Sequence, residues 1–218
     1  MDTAVRRALD EAAEIVRSFA AEHHLPVGLN PLPVKEAVLF ATQGEFIESL
    51  MSRAGTTTRE ELGTAANSGG AAAAIDDATL LIITPDEYQR VRPEYTQQED
   101  AFVRLIAHEL AHSFHLQLVG GDPDKMGPEW FYEGLAAVIA GQLLGPSLEY
   151  SSAEEALENA AHPGRLRYAS FSATVRYFAG QHSIPLLIEN AAKPGFEGWL
   201  LACDCEKNAQ RAPGGTAE

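Results

Sequence analysis

"RLIAHELAHSFHLQ", residues 104–117, sets three histidines and one glutamate in a run whose other residues read as an apolar helix. Each helical residue turns the chain by about 100°, so His108 and His112 stand roughly 40° apart, one turn above the other. Their imidazoles can therefore reach one ion from a single face. Glu109 lies three residues before His112 and borders that face. This is the His-Glu-x-x-His arrangement, two nitrogen ligands with a carboxylate beside the metal. The residue types suit the chemistry. Neutral imidazole is a good zinc ligand. Zinc brings the pKa of a bound water to near 7, and an adjacent carboxylate can accept its proton and pass it to a leaving amine.

A catalytic zinc takes a third protein ligand. The candidate is Glu133, in "EWFYEGLAA" (129–137), one helix downstream of the Gly120–Gly121 turn. Trp130, Phe131, Leu135 and Ala136 surround it, and a carboxylate among apolar neighbours is costly unless paired or bound to a cation. Glu129 competes as a ligand, but it opens the helix, where the dipole alone favours a carboxylate.

Around this pair of helices, the pattern predicts an amphipathic first helix, with Val5, Leu9, Ala12, Ala13, Val16 and Phe19 at helical spacing. "VKEAVLFA" (34–41) reads as a strand, and "QGEFIESLMSRAG" (43–55) as a short helix stopped by Gly55. "AAAAIDDATLLIIT" (71–84) reads as two strands about a turn made by Asp76 and Asp77. "PDEYQRVRPEYTQQED" (85–100) reads as polar loop. The central helix is expected over 97–119 and the next over 128–145, opened by Pro128 and stopped by Gly145. Helices are also expected in 152–161, 169–182 and 184–192. Strands gather in the first half and helices in the second, an α+β pattern. The expected divisions are 1–30, a helix and linker; 31–120, a strand-bearing lobe ending in the histidine helix; 121–205, a helical lobe with the third ligand; and 206–218, a disordered tail.

The formal net charge of -15 argues against a nucleic-acid partner and against docking on anionic lipid. No apolar run reaches the roughly 18–20 residues of a membrane span, and the first 24 residues lack the apolar core of a signal peptide. A cytoplasmic location is one expectation, with the compartment otherwise open. Cys203 and Cys205, the only cysteines, read as incidental thiols. The His23–His24 pair closes a helix, where partial positive charge is favourable. His115 is expected to be exposed or to stand behind the ligands.

"HELAH" followed by "WFYEGLAA" resembles the gluzincin metallopeptidases, and within them the small bacterial proteins described as peptidase MA-like, with a W-x-x-E-G-x-A second motif. The resemblance runs from about Val34 to Ala192 and is specific at the two motifs. It implies a zincin-like fold, with a small mixed sheet packed on the histidine helix. It implies Zn2+ held by His108, His112 and Glu133, with Glu109 as general base. A tyrosine or histidine that donates to the oxyanion is also implied; Tyr168 is the first candidate, then Tyr177, with His162 and His182 open. Substrate backbone would lie along an edge strand, for which "GGAAAAI" (69–75) stands in the comparable place. Alanines stand there where aminopeptidases of the group carry a glutamate, which implies an endopeptidase acting on peptide or protein substrates. Two other readings are a zinc-binding protein of regulatory or binding role with little turnover, and a helical interaction protein whose histidines only fill the core.

Overall fold

The computed structural model describes residues 3–26, 32–58, 73–76, 78–142, 148–164 and 166–211, without the side chains of 204–211. Within these residues the chain is mixed α+β and mostly helical, with one small three-stranded sheet. Helix α1 spans Thr3–Glu22, strand β1 Glu36–Phe40 and helix α2 Gln43–Ala54. Strands β2 (Ala73–Asp76) and β3 (Thr79–Ile83) follow, then α3 (Pro85–Val91), α4 (Ala101–Leu118) and α5 (Glu129–Ile139). The remaining helices are α6 (Ala153–Ala161), α7 (Arg167–Ala179), α8 (Ile184–Ala191) and α9 (Phe196–Arg211).

The sheet order is β1-β3-β2, with β3 parallel to β1 and antiparallel to β2. All five residues of β3 are buried, as its unbroken Leu-Leu-Ile-Ile run requires of a strand covered on both faces. Strand β2 is therefore an edge strand, and it lies on α4, the histidine helix. Asp76 closes the last rung of the hairpin opposite Thr79 and bonds Arg53, so it is a strand residue rather than a turn former. The positive φ of 63° needed by so tight a turn falls on Ala78. Asp77 and the segment 69–72 lie outside the described residues.

One continuous cluster of buried side chains runs from α1 through the sheet, α4 and α5 to α9. The first helix is part of that core: Leu9, Ala12, Ala13 and Val16 are fully buried where α1 packs on α4. Burying a leucine or valine of this kind is worth about 1.5–3 kcal/mol, so α1 braces the histidine helix from behind.

Several expectations about element bounds are corrected. The segment 85–100 is not simply loop. Pro85 occupies the first turn, Asp86 and Glu87 follow it, and Tyr88 is buried, so α3 forms, with a single 3-10 turn at Pro93–Tyr95 after it. The central helix accordingly begins at Ala101, four residues later than its apolar pattern suggests. Helix α5 ends at Ile139, not near Gly145, because Gly141 adopts a φ of 61° and turns the chain. Pro128 caps α5 from the position before its first turn. Helix α9, unforeseen, runs to Arg211 and so enters the segment read as tail.

A close approach of α7 to α5 explains the glycine of the second motif. A Cβ on Gly134 would stand 2.5 Å from the carbonyl oxygen of Phe171 and 2.8 Å from Val175 Cγ2, both on α7. We expect Gly134→Ala to push α7 away from α5 and to lower unfolding stability by about 1–3 kcal/mol in chemical denaturation.

A second expectation concerns acid. Arg90 Nε and Nη2 donate to the Glu87 carboxylate at 2.5 and 2.6 Å, and the Gln43 N–H, in the first turn of α2, donates to it at 2.8 Å. These bonds hold the Glu87 pKa down to about 2, from an ordinary 4.5. A depressed carboxylate stabilises the fold fully above its unfolded pKa, and this contribution is lost as pH falls from about 4.5 towards about 2. The denaturation midpoint should therefore fall less steeply across that window in Glu87→Gln than in the native chain.

Candidate metal centre

Helix α4 delivers His108 and His112 one turn apart, with ring centroids 4.8 Å apart. The chain then passes Gly120 and Gly121, both at positive φ, and a short 3-10 turn at Pro123–Lys125 before α5 packs back on α4. This return brings Glu133 between the imidazoles. Glu133 Oε2 stands 3.1 Å from His108 Nε2 and 3.4 Å from His112 Nε2. His108 is buried, and His112 and Glu133 are partly so. Each of the three residues offers one ligand atom, and these atoms lie within 4.8 Å of one another. The group could hold a metal ion.

The donor chemistry fits a cation. Two imidazole nitrogens and a carboxylate oxygen converge, and on deprotonated nitrogens all three present lone pairs to one point. Burial works against the charge on Glu133, but hydrogen bonds from His108 and His112 outweigh it and hold the carboxyl well below the usual carboxylate range. Burial likewise opposes charge on His112, yet the Glu133 hydrogen bond and the Glu133 and Glu109 carboxylates raise its pKa overall. The cluster thus concentrates negative potential where the imidazoles meet, which a divalent ion would neutralise.

Glu109 lies on the same helix, half-buried. Burial pushes its pKa up to about 7, opposed by the two imidazoles and aided by Glu133. That the charges of His108, His112 and Glu133 all act on it places Glu109 beside the cluster.

The oxyanion candidates part company. The Tyr168 ring, at the start of α7, meets the His108 ring edge-on at 5.8 Å. Tyr177 packs instead between Tyr150 and Phe178, and His182 against Trp199. His162 caps the end of α6. Glu129, the competing ligand, is ion-paired with Arg167 and stands apart from the cluster. His115 is buried rather than exposed, its ring edge-on to Phe131 at 5.9 Å, and it is not one of the three converging ligands. Two neighbours escaped the sequence reading. Tyr132 sets its ring 5.9 Å from that of His112, and Gln142 sets Oε1 3.1 Å from His108 Nδ1. A helical projection of α5 would have put Tyr132 beside Glu133, whereas Gln142 lies past a helix end where no periodicity applies.

Comparison with family models, with curated proteins and with solved structures finds no match. No described helix is long and apolar enough to cross a membrane.

Binding of a cation to the folded state alone must stabilise it. At a hundredfold excess of zinc over its dissociation constant the gain is about 2.7 kcal/mol, or roughly 5–10 °C in Tm for a chain of this size. Calorimetry should show that rise in the native protein and its loss in His112→Ala.

Proposed function

We propose that the protein is a zinc-dependent metallopeptidase of the gluzincin kind, with a zincin-like fold, acting on internal peptide bonds. The observation that carries the reading is the meeting of His108 Nε2, His112 Nε2 and Glu133 Oε2 within one ligand distance set. Two nitrogens and one oxygen match a tetrahedral zinc site with a fourth position open. When bound, zinc would supply a Lewis acid that polarises a carbonyl and brings a water pKa to near 7.

The chain's own groups would do the rest. Glu109 is the proton acceptor: it lies on the ligand helix three residues before His112, partly buried beside the cluster, where a carboxylate can take a proton from a bound water. It would pass the proton on to the departing amine. Tyr168, against His108, is the phenol assigned to the carbonyl oxygen of the substrate, with Tyr132, against His112, as its competitor. Strand β2 lies on α4 at the edge of the sheet among the described residues, where an extended peptide could add as a further strand. Alanines at 73 and 74 in that strand place no carboxylate for a free amino terminus, in keeping with endopeptidase action.

The test is cleavage of a diverse peptide library by protein purified without a histidine tag, with metal content measured alongside. Native protein should contain zinc and cut; Glu109→Gln should keep the zinc and lose roughly 10²–10⁴-fold in rate. Undiminished cutting by Glu109→Gln would refute the assigned base. Bound zinc with no cutting by the native chain would favour a binding role for the site.

A further inference from the structure

We propose that Gln142 and Arg104 are positioning residues for the metal centre: Gln142 sets which ring nitrogen of His108 is free, and Arg104 holds Gln142 in place. The inference rests on metal binding at His108, His112 and Glu133 and not on peptide cleavage.

His108 Nδ1 faces Gln142 Oε1 at 3.1 Å, and its Nε2 faces Glu133 Oε2 at 3.1 Å. An amide oxygen only accepts, so Nδ1 must carry the hydrogen of that bond. Nε2 faces a carboxylate oxygen, which also only accepts; an ion at the point where the three ligand atoms meet would take the place of the hydrogen between them, and the Nδ1–H held by Gln142 then leaves Nε2 as the nitrogen whose lone pair faces the ion. A histidine ligand fixed through its second nitrogen is oriented and made more basic.

Gln142 reaches His108 because of how α5 ends. Gly141, at a φ of 61°, donates to Val138 O at 3.1 Å, and Gln142 N–H donates to Ala137 O at 3.1 Å. This is a left-handed helix stop of the Schellman type, which throws the following residue back along the helix. The carbonyls of Ala140 and Gly141 are among those that such an end leaves without helical donors. Arg104 Nη1 donates to both, at 2.8 and 2.9 Å. Gln98 Nε2 adds a bond to Gly141 O at 3.2 Å. Arg104 is itself oriented by Asp100, through Nε at 2.9 Å and Nη2 at 2.8 Å.

Arg104 stands one turn before His108 on α4. The helix that carries two ligands thus grips the end of the helix that carries the third, and the grip sets the residue that reads the His108 ring. Gly141 is required twice over: its backbone is left-handed, and a Cβ there would come within 2.4 Å of Arg104 Nη1.

Zinc affinity, measured by chelator competition, and the ring protons of His108, observed by NMR in the zinc-loaded chain, test this. In Gln142→Met, similar in length but with no oxygen acceptor, zinc should bind 10–100-fold more weakly and the His108 Nδ1–H resonance should be lost to exchange. Gln142→Glu, still an acceptor, should restore both. Arg104→Met should weaken zinc in the same sense, and combining it with Gln142→Met should add little, because one residue acts through the other. Unchanged zinc affinity in Gln142→Met would overturn the inference while leaving the metal site standing. Fully additive losses would overturn the route from Arg104 through Gln142, and a native chain that binds no zinc would overturn the metal reading itself.

Discussion

The carboxylate of Glu133, set between two imidazoles from another helix, is the contact on which the arrangement depends. Removing a carboxylate from water costs several kcal/mol unless partners replace the lost solvation. Here the partners are His108 Nε2 and His112 Nε2, at 3.1 and 3.4 Å. Such distances tolerate little slippage between α4 and α5, so much of the surrounding fold can be understood as what keeps these helices in register. On one side α1 packs its small and aliphatic residues against α4. On another, α7 approaches α5 so closely that only a glycine fits at position 134, next to the ligand. Between the two helices, the turn through Gly120, Gly121 and Gly127, each at positive φ, reverses the chain over a short distance.

The close approach of α7 has a second effect. It carries Tyr168 to the His108 ring, while the residue beside Glu133 on α5 carries Tyr132 to the His112 ring. Each imidazole therefore has an aromatic edge against it and the shared carboxylate at its Nε2. Packing of this kind limits ring rotation, and a ligand that cannot rotate loses less entropy when an ion arrives. Tyr168 is thus set by the approach of α7 that excludes a side chain at Gly134, and Tyr132 and Glu133 by the return of α5 onto α4.

The ligand positions were legible because each is written into a helix with a strong period. His108, Glu109 and His112 interrupt an apolar stripe at intervals of one to four residues, and Glu133 stands alone among aromatic and aliphatic neighbours. The two strands at 73–83 were legible for a similar reason, since a Leu-Leu-Ile-Ile run bounded by turn residues has few other uses. What was not legible depends on backbone geometry at helix ends. Helix α3 hid behind its polar composition, although Pro85 and two acids mark its start and one buried tyrosine holds it down. The early end of α5 depends on a left-handed glycine, and from that end follows the contact of Gln142 with His108. Tertiary placement of a residue just past a helix has no sequence period, so no reading of spacing would reach it. The pattern of the first helix says that it has an apolar face, not which helix that face meets.

The three histidines of α4 show how far environment outweighs residue type. His112 and His115 are three residues apart on one helix and both lie largely within the protein. Glu133 and Glu109 raise the pKa of His112, against its burial. The His115 ring meets Phe131 edge-on at 5.9 Å, and burial, aided by repulsion from His112, lowers its pKa to about 4. Neither of its ring nitrogens has a hydrogen-bond partner among the described residues. Leaving a polar group unsatisfied costs about 1–3 kcal/mol, a cost that a phenylalanine or leucine at 115 would avoid. His115 is thus neutral near pH 7 and adds no positive charge to the side of the cluster that faces the core. The helix holds His112 where acids raise its pKa, and its third imidazole behaves as an apolar ring. A divalent ion at the cluster would meet two imidazole nitrogens and two nearby carboxylates, and no charge from His115.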